Sequence, residues 1–502
     1  MSKASSSYEL TLSPCPPGQT LTTWLYGELR RAILDGRLAT GTRLPASRDF
    51  AVQHGLSRGT IVSVFERLQA EGYISSRVGS GTSVNRLAPV EEVRTQHRIP
   101  PAYIRRTAAA YVRPKPWADL VVSEGLRPFG VRDAAVDKFP AKLWGGIAAK
   151  RARSFAAWLR TDDDGRGYRP LREAITHYLS VSRGVRCTPD QVLIVSGIQQ
   201  ALDLAARVLL KPGEPVWMED PGYFGASIAF GTAGARIIPV PVDAQGLDVS
   251  AGIKLCQRAR GAYVTPAHQF PLGMTLSLER RMALLAWASR TGAFVIEDDY
   301  DSEYRFEGRP VPALQGLDES SNVILVGSFS KLLFPSLRIG YVVAPAALVD
   351  LFRAFRYRTD FRNLSLDQAV LADFISAGHL GRHLSRMRNL YAARLAALRE
   401  GGQQYLRGLL EISDVRAGLY TVGFLANGMD SWQAEKEAAA RGVEVIALDR
   451  YTLNRPDPKG LLLGFGAFDE STIRKGLLQL AAVLERKNPK QLRTRRASLQ
   501  TL

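Results

Sequence analysis

Residues 326–341 read VGSFSKLLFPSLRIGY and set one amine, Lys331, close to the hydroxyls of Ser328 and Ser330 and the guanidinium of Arg338. An amine among hydroxyls and fixed positive charge suits condensation with an aldehyde that also carries a phosphate. Three further segments offer what such a ligand needs. SGIQQ sets Ser196, Gly197 and Ile198 at a helix start, where free backbone N–H groups favour phosphate. Asp298 follows the apolar run AFVI at the carboxyl end of an expected strand, where open α/β sheets bind ligands. Its carboxylate would keep a ring nitrogen protonated. Tyr300, two residues on, would reach a phenolic oxygen, and Tyr223, after the Pro-Gly turn of EDPGYFG, would stack on a flat ring. Pyridoxal 5′-phosphate has an aldehyde, a phosphate, a pyridine nitrogen and a phenolic oxygen on one flat ring. Taken singly, each residue has a plainer reading: a solvated lysine, an acidic surface run in EDDYDSE, a packing tyrosine.

These residues need a sheet to hold them. From about residue 118, short apolar runs alternate with longer amphipathic ones. QVLIVSG (191–197) reads as a strand or buried edge, IQQALDLAARVLL as a helix, and PVWMEDPGY as a strand and turn. GAYVTP, GAFVIEDDY and NVILVGS repeat the theme, which is the alternation of a mostly parallel sheet covered by helices. Residues 383–410 predict one long helix. YTVGFLANG, GVEVIAL and GLLLGFG predict a smaller α+β part.

The first part of the chain has a different texture. In GTRLPASRDFAVQHGLSRGTIVSVFERLQAEGYISSRVGSGTSV, Pro45 and Ser47 suit a helix start, and Gly55 can supply the turn that ends it. Ser57 suits the cap of the next helix. That helix carries Ile61, Val64, Phe65 and Leu68 on one apolar face. Two helices joined by a tight turn form a helix-turn-helix, whose second helix can enter a major groove. After Gly72 a short hairpin forms a plausible wing. Arg48 and Arg77 would meet phosphates, while Arg58, Thr60 and Ser63 are set to meet base edges. Ser57 and the turn residues Gly79, Ser80, Gly81 and Thr82 complete the candidate DNA-binding set. A small helical packing module with surface arginines is the plainer reading.

Bulk properties narrow the class. The 502 residues, 46% hydrophobic, suffice for a large core and more than one domain. Lys+Arg number 66 against 48 Asp+Glu, a net charge of +18 that favours polyanion partners. Cys15, Cys187 and Cys256 lie far apart, which argues against a disulfide scaffold or a zinc site. No apolar run reaches membrane-spanning length, and MSKASSSYELTLSPCPPGQT lacks the apolar middle of a signal peptide, so the cytoplasm is expected. Residues 85–117, rich in proline and basic residues, read as a linker, and 486–502 as a basic, acid-free tail.

LPASRDFA, LSRGT and EGYISSRVGSGTSV resemble the successive elements of the winged helix-turn-helix of GntR-family transcription factors over residues 20–84, and the GSGT wing resembles the MocR-like subgroup. Residues 118–485 resemble the fold-type I, aspartate-aminotransferase-like domain. SFSK with LRIGY, SGIQQALDLAARVLLKPGEPVWMEDPGYFG, TPAHQFPLG and VIEDDYDSEYRF carry that resemblance in order. The joined pattern resembles the MocR (GabR-type) regulators. It implies that Lys331 forms the internal aldimine, Asp298 pairs with the pyridine nitrogen, Tyr300 contacts the phenolic oxygen and Tyr223 stacks on the ring. Ser196, Gly197, Ile198, Ser328, Ser330 and Arg338 would hold the phosphate. TPAHQFPLG departs from the aminotransferases, with Phe270-Pro271 in the place of their Asn-Pro. His268 is read equally as a neutral core histidine or a site residue. Arg450, in ALDRYTLNRP, would bind an effector carboxylate. The resemblance implies a regulator of operator DNA that senses pyridoxal phosphate, a small amino acid or amine, or both, and acts as a head-to-tail homodimer. The alternatives are a working aminotransferase with an accessory DNA-binding head, or a regulator with a vestigial cofactor site.

Overall fold

The computed structural model describes residues 10, 12–77, 81–86, 125–131, 134–154, 164–306, 311–360, 365–426, 429–454 and 459–485. Residues 87–117 of the expected linker and all of the expected tail lie outside them, as do Gly79 and Ser80 of the expected wing. The chain divides into two compact units, Met1–Ala110 and Tyr111–Leu502.

The first unit holds helices α1 (Leu21–Leu34), α2 (Ser47–His54) and α3 (Arg58–Ala70), with strands β1 (Arg43–Leu44), β2 (Ile74–Arg77) and β3 (Gly81–Val84). Thr20 caps α1 by accepting from the Thr23 N–H, and Ser57 caps α3 by accepting from the Thr60 N–H at 3.1 Å. Gly55 ends α2 at φ +64, a left-handed conformation that glycine adopts without a Cβ penalty. The α2 start differs from expectation by little: Ala46 is the N-cap and makes no side-chain cap bond. Ile61, Val64, Phe65 and Leu68 of α3 pack with Leu25, Leu29 and Ile33 of α1 and Phe50 of α2 into one buried cluster. β1 adds a third strand to the expected hairpin, in the order β1-β3-β2. Two residues are too few for β1 to show a periodicity of its own.

The second unit is built on an eight-stranded sheet. Its strands are β4 (Val192–Val195), β5 (Pro215–Asp220), β6 (Arg236–Asp243), β7 (Gly246–Leu247), β8 (Gly261–Val264), β9 (Phe294–Asp299), β10 (Val323–Ser328) and β11 (Gly340–Val343), in the spatial order β4-β11-β10-β9-β8-β5-β6-β7. The centre, β10-β9-β8-β5-β6, is parallel, and β11, β4 and β7 join antiparallel. Alternate residues serve opposite faces. Val216 and Met218 join Leu202, Ala205 and Ala206 of the helix Ile198–Leu209 on one side. Trp217 between them stacks on Trp287 on the other, with ring centroids 3.8 Å apart. Both faces are therefore covered, which is why these strands read as continuous apolar runs.

Strand registers decide what meets at the carboxyl edge. Gly340 pairs with both Val195 and Ser328, so the ends of β4 and β10 lie on either side of the start of β11. A Cβ on Gly340 would sit 2.8 Å from the Gly327 carbonyl oxygen and 3.0 Å from the Gly197 Cα, so only glycine allows this approach.

The expected long helix is His379–Tyr405, starting and ending earlier than the 383–410 reading. Gly408, at φ +78, turns the chain into β12 (Leu410–Ile412). β12, β13 (Tyr420–Leu425), β14 (Ile446–Ala447) and β15 (Gly460–Gly464) form an antiparallel sheet ordered β12-β13-β15-β14, the smaller α+β part. Among the described residues no helix is long and apolar enough to cross a membrane, and no cluster of His, Cys, Asp or Glu is placed to hold a metal ion.

Candidate functional site

A cavity of about 550 Å³ lies at the carboxyl edge of the large sheet. Gly197, Ile198, Tyr223, Asp298, Tyr300, Ser328, Ser330, Lys331 and Arg338 all line it. They come from the ends of four strands and the turn before β11, and are more than a hundred residues apart at the extremes.

Each has a distinct environment. The Lys331 ammonium donates to the Val131 carbonyl at 3.0 Å. Gly197 is the N-cap of the helix Ile198–Leu209, at φ +109, and a Cβ there would lie 3.8 Å from the Arg338 guanidinium carbon. The guanidinium and the first turn of that helix thus face one another across a space that suits an anion. Arg338 itself sits in the left-handed region, at φ +51, and is exposed. Ser328 Oγ accepts from the Ser330 N–H at 3.2 Å, while Ser330 Oγ is buried with no partner.

Asp298 is 3% exposed. The Tyr263 hydroxyl donates to its Oδ2 at 2.7 Å, and its Oδ1 has no hydrogen-bond partner. Burial pushes its carboxyl up to about 8, against the opposing pull of the Tyr263 hydrogen bond. Burial likewise raises the Tyr223 hydroxyl to about 12 and Tyr300 well above the ordinary tyrosine value. The Tyr300 hydroxyl donates to the His268 carbonyl at 2.8 Å and lies 2.5 Å from the Tyr420 hydroxyl.

Ser196 and Arg450 do not line this cavity. The Ser196 hydroxyl donates to Asp360 at 3.3 Å. Arg450 lines an adjoining pocket together with Tyr223, Phe224 and Tyr451. Its guanidinium grips the Glu435 carboxylate through Nε, at 3.0 and 2.9 Å, and through Nη2, at 2.7 Å. It also lies 4.3 Å over the Trp432 ring. In this structure its charge is paired with Glu435. No local pattern in ALDRYTLNRP could announce Glu435, which lies fifteen residues earlier on another helix.

His268 is a core residue in contact with the site rather than part of its wall. It is 1% exposed, its Nδ1 lies 3.0 Å from both Asp301 oxygens, and its carbonyl accepts from the hydroxyl of the cavity-lining Tyr300. Sequence reasoning missed Tyr263, the partner of Asp298. GAYVTP reads as a strand, and only the β8–β9 register brings its tyrosine to the carboxylate. It also missed Glu219, buried at the end of β5. Glu219 accepts from the Thr265 N–H and hydroxyl and from Gln269. Thr265 in turn accepts from the Phe270 N–H at 3.0 Å, which fixes the aromatic wall. Burial raises the Glu219 carboxyl to about 7.

In the first unit, Arg48, Ser57, Arg58 and Ser63 are exposed and Thr60 is half-buried. Ser57 and Thr60 are tied to each other, with hydroxyls 2.8 Å apart. Arg77 pairs with Gly81 at the hairpin end, and the Thr82 hydroxyl lies 2.9 Å from that of Ser76 across the two strands. Gly81 sits at φ +81, a conformation that favours glycine.

Residues 21–84 match the model of the bacterial regulatory proteins of the gntR family, and residues 149–457 that of aminotransferase class I and II. The chain is 38% identical over 460 residues to the probable rhizopine catabolism regulatory protein MocR of Rhizobium meliloti, covering 91% of this chain and 92% of that one. The chain belongs to the MocR-type regulators of the GntR family. Another relative of this MocR-type chain is the HTH-type pyridoxine biosynthesis transcriptional regulator PdxR of Corynebacterium glutamicum, 31% identical over 476 residues, or 94% of this chain and 97% of that one. Among solved structures, Pyrococcus horikoshii kynurenine aminotransferase superposes with a TM-score of 0.70 at 27% identity, covering 76% of this chain and 98% of its own. The α-aminoadipate aminotransferase LysN of Thermus thermophilus, complexed with N-(5′-phosphopyridoxyl)-L-leucine, superposes at 0.69 and 27%, covering 76% and 96%. The MocR-type architecture thus pairs a winged helix-turn-helix with an aminotransferase fold.

Proposed function

We propose that this regulator binds operator DNA through α3 and its wing, and that its second unit binds pyridoxal 5′-phosphate and an amino compound that together set its activity on DNA. One observation carries the cofactor reading: Lys331, Asp298, Tyr300, Tyr223, Ser328, Ser330 and Arg338 line a single cavity. The residues fit the group. Asp298 Oδ1 and Ser330 Oγ are buried polar atoms without partners, which is costly unless a ligand completes them. Arg338 and the helix start at Ile198 offer charge and N–H groups for a phosphate. LysN, of the same fold, is complexed with a phosphopyridoxyl compound.

Bound, the cofactor would supply an electrophilic carbonyl carbon conjugated to an electron-withdrawing ring. The chain's own residues do the rest. Lys331 presents an amine, held by the Val131 carbonyl until a ligand arrives. A cationic ring N–H beside Asp298 would return that carboxyl to its ionised form, because the neighbouring charge offsets the cost of burial. The Tyr223 ring offers a flat neighbour, and Tyr300 and its Tyr420 partner offer hydroxyls. On the DNA side, the exposed Arg58 and Ser63 of α3 are set for base edges and Arg48 for phosphate. A head-to-tail homodimer would carry two such heads and read two half-sites.

The test is a footprint of the purified protein on the DNA beside its own gene, with and without pyridoxal phosphate and a panel of amines. Paired protected repeats that change with cofactor or amine are expected. The Lys331→Ala variant should show no cofactor mass fixed by borohydride while keeping non-specific DNA binding. A fixed adduct in that variant refutes the lysine assignment. Steady turnover of an amino donor and a keto acceptor, with no protection of DNA, would make the chain an aminotransferase instead.

A further inference from the structure

Tyr300 lines the cavity, and its hydroxyl meets groups that stand behind the wall. The His268 carbonyl lies 2.8 Å away, His268 Nδ1 3.2 Å and the Tyr420 hydroxyl 2.5 Å. Two of these have a fixed role. A carbonyl oxygen only accepts. Nδ1 stands 3.0 Å from both Asp301 oxygens, so it carries a proton and turns it to the carboxylate. Tyr300 has one proton, and two oxygens 2.8 Å apart need a proton between them, so it goes to the His268 carbonyl. The contact with Tyr420 is then filled by the Tyr420 proton. Burial raises both hydroxyls well above the ordinary tyrosine value, so both keep their protons.

Tyr420 is the first residue of β13 and is 1% exposed. Its ring is seated 5.4 Å from that of Phe270 and 5.2 Å from that of His268. Tyr300 follows β9 of the large sheet, so hydroxyls carried by the two sheets of this unit meet here.

We propose that Tyr420 is a positioning residue for the cofactor, and that it acts through Tyr300 by donating a hydrogen bond to the Tyr300 oxygen. The inference rests on the cofactor reading of the site, in which Tyr300 meets the phenolic oxygen. A hydroxyl that accepts a hydrogen bond becomes the stronger donor in its turn. When the Tyr300 proton turns from the carbonyl to the ligand, it therefore favours an ionised phenolic oxygen more than an unsupported tyrosine would. Without the Tyr420 hydroxyl, the cofactor keeps its own proton to higher pH. The other titratable groups around the pair are His268, Asp301, Asp298, Glu219 and Tyr451, with Tyr223, Lys331 and Arg338 in the cavity lining. Removing one neutral hydroxyl changes none of their charges.

The test uses the full-length, cofactor-loaded protein. Cofactor uptake is scored first, by borohydride-fixed mass on Lys331. The absorption of the bound cofactor is then titrated with pH in the wild type, Tyr420→Phe, Tyr300→Phe and the double variant. Tyr420→Phe keeps the ring and should move the midpoint up by about half a pH unit. Tyr300→Phe should move it further up. The double variant should match Tyr300→Phe alone, because Tyr420 acts through Tyr300. A fluorotyrosine placed at position 420 keeps the hydrogen bond, is a more acidic donor and should move the midpoint down. It decides the question where Tyr420→Phe fails to fold or to bind cofactor. An unchanged midpoint in Tyr420→Phe, a fluorotyrosine midpoint that stays or rises, or additive shifts in the double variant overturn the inference and leave the cofactor reading standing. Failure of the wild-type protein to take up cofactor overturns the underlying reading.

Discussion

Asp298 and Asp299 are neighbours on β9 and meet opposite fates. Asp299 points to the side where Arg183 waits, with Nε 2.8 Å from its Oδ2 and both side chains almost fully buried. Asp298 points to the cavity, where a tyrosine hydroxyl is its one hydrogen-bonding partner and no cation of the described chain pairs with it. Each carboxylate keeps one oxygen without a hydrogen bond, so the difference is the counter-ion. Where a buried charge serves the fold, the fold supplies its partner. Asp298 has no counter-ion among the described residues, and burial pushes its carboxyl up to about 8.

The comparison is open to attack by mutation. Arg183→Ala strands Asp299 in the interior and should destabilise the protein by about 3–5 kcal/mol, read as a lower urea midpoint. A loss below ~1 kcal/mol would mean that Asp299 does not depend on that cation. Asp298→Asn should do the reverse. The cofactor-free protein should keep or gain stability, while cofactor affinity falls by about 1.5–3 kcal/mol, the worth of a charged hydrogen bond, measured by absorbance titration. Unchanged affinity would remove Asp298 from the site.

The pH dependence sharpens the same point. A carboxyl whose native value is raised binds a proton more tightly in the folded than in the unfolded chain. Its contribution to stability is full below the unfolded value and is lost as pH rises through the native one. Cofactor-free protein should therefore lose stability as pH rises from about 4 towards the Asp298 value of about 8. Glu219 and Glu303, both raised to about 7 by burial, add to the slope. Asp298→Asn should flatten the slope, and identical slopes would contradict the assignment.

Two smaller effects belong to the first unit, where function sits on exposed side chains. Arg58→Ala should cost about 1–3 kcal/mol of specific DNA affinity and leave cofactor uptake unchanged, as gel shifts and absorbance would report. Ser57→Ala removes the α3 cap and should cost about 1 kcal/mol of that unit's stability, read by thermal melting.

The two units also differ in how much the sequence discloses. The helix-turn-helix is local. Ser57, Gly55 and the spacing of Ile61, Val64, Phe65 and Leu68 state the cap, the turn and the buried face within one short stretch of adjacent sequence. The cavity is not local, yet most of its polar members could be named, because each follows a strand that signals its own end. Asp298 after AFVI, Lys331 after NVILVGS and Gly197 after QVLIV all sit at the carboxyl edge. What escaped notice were residues whose part depends on a neighbour chosen by register or packing: Tyr263, Glu219, Thr265, Tyr451 and the Glu435 carboxylate that claims Arg450.

The sequence by itself determined the strand–helix alternation, the winged helix, and the residue types that a phosphate-bearing aldehyde requires, since period, caps and strand ends are properties of adjacent residues. The tertiary structure decided which charges keep a partner. Strand order and register bring Tyr263 to Asp298, Arg183 to Asp299 and Glu435 to Arg450, and charge pairing acts through space rather than along the chain.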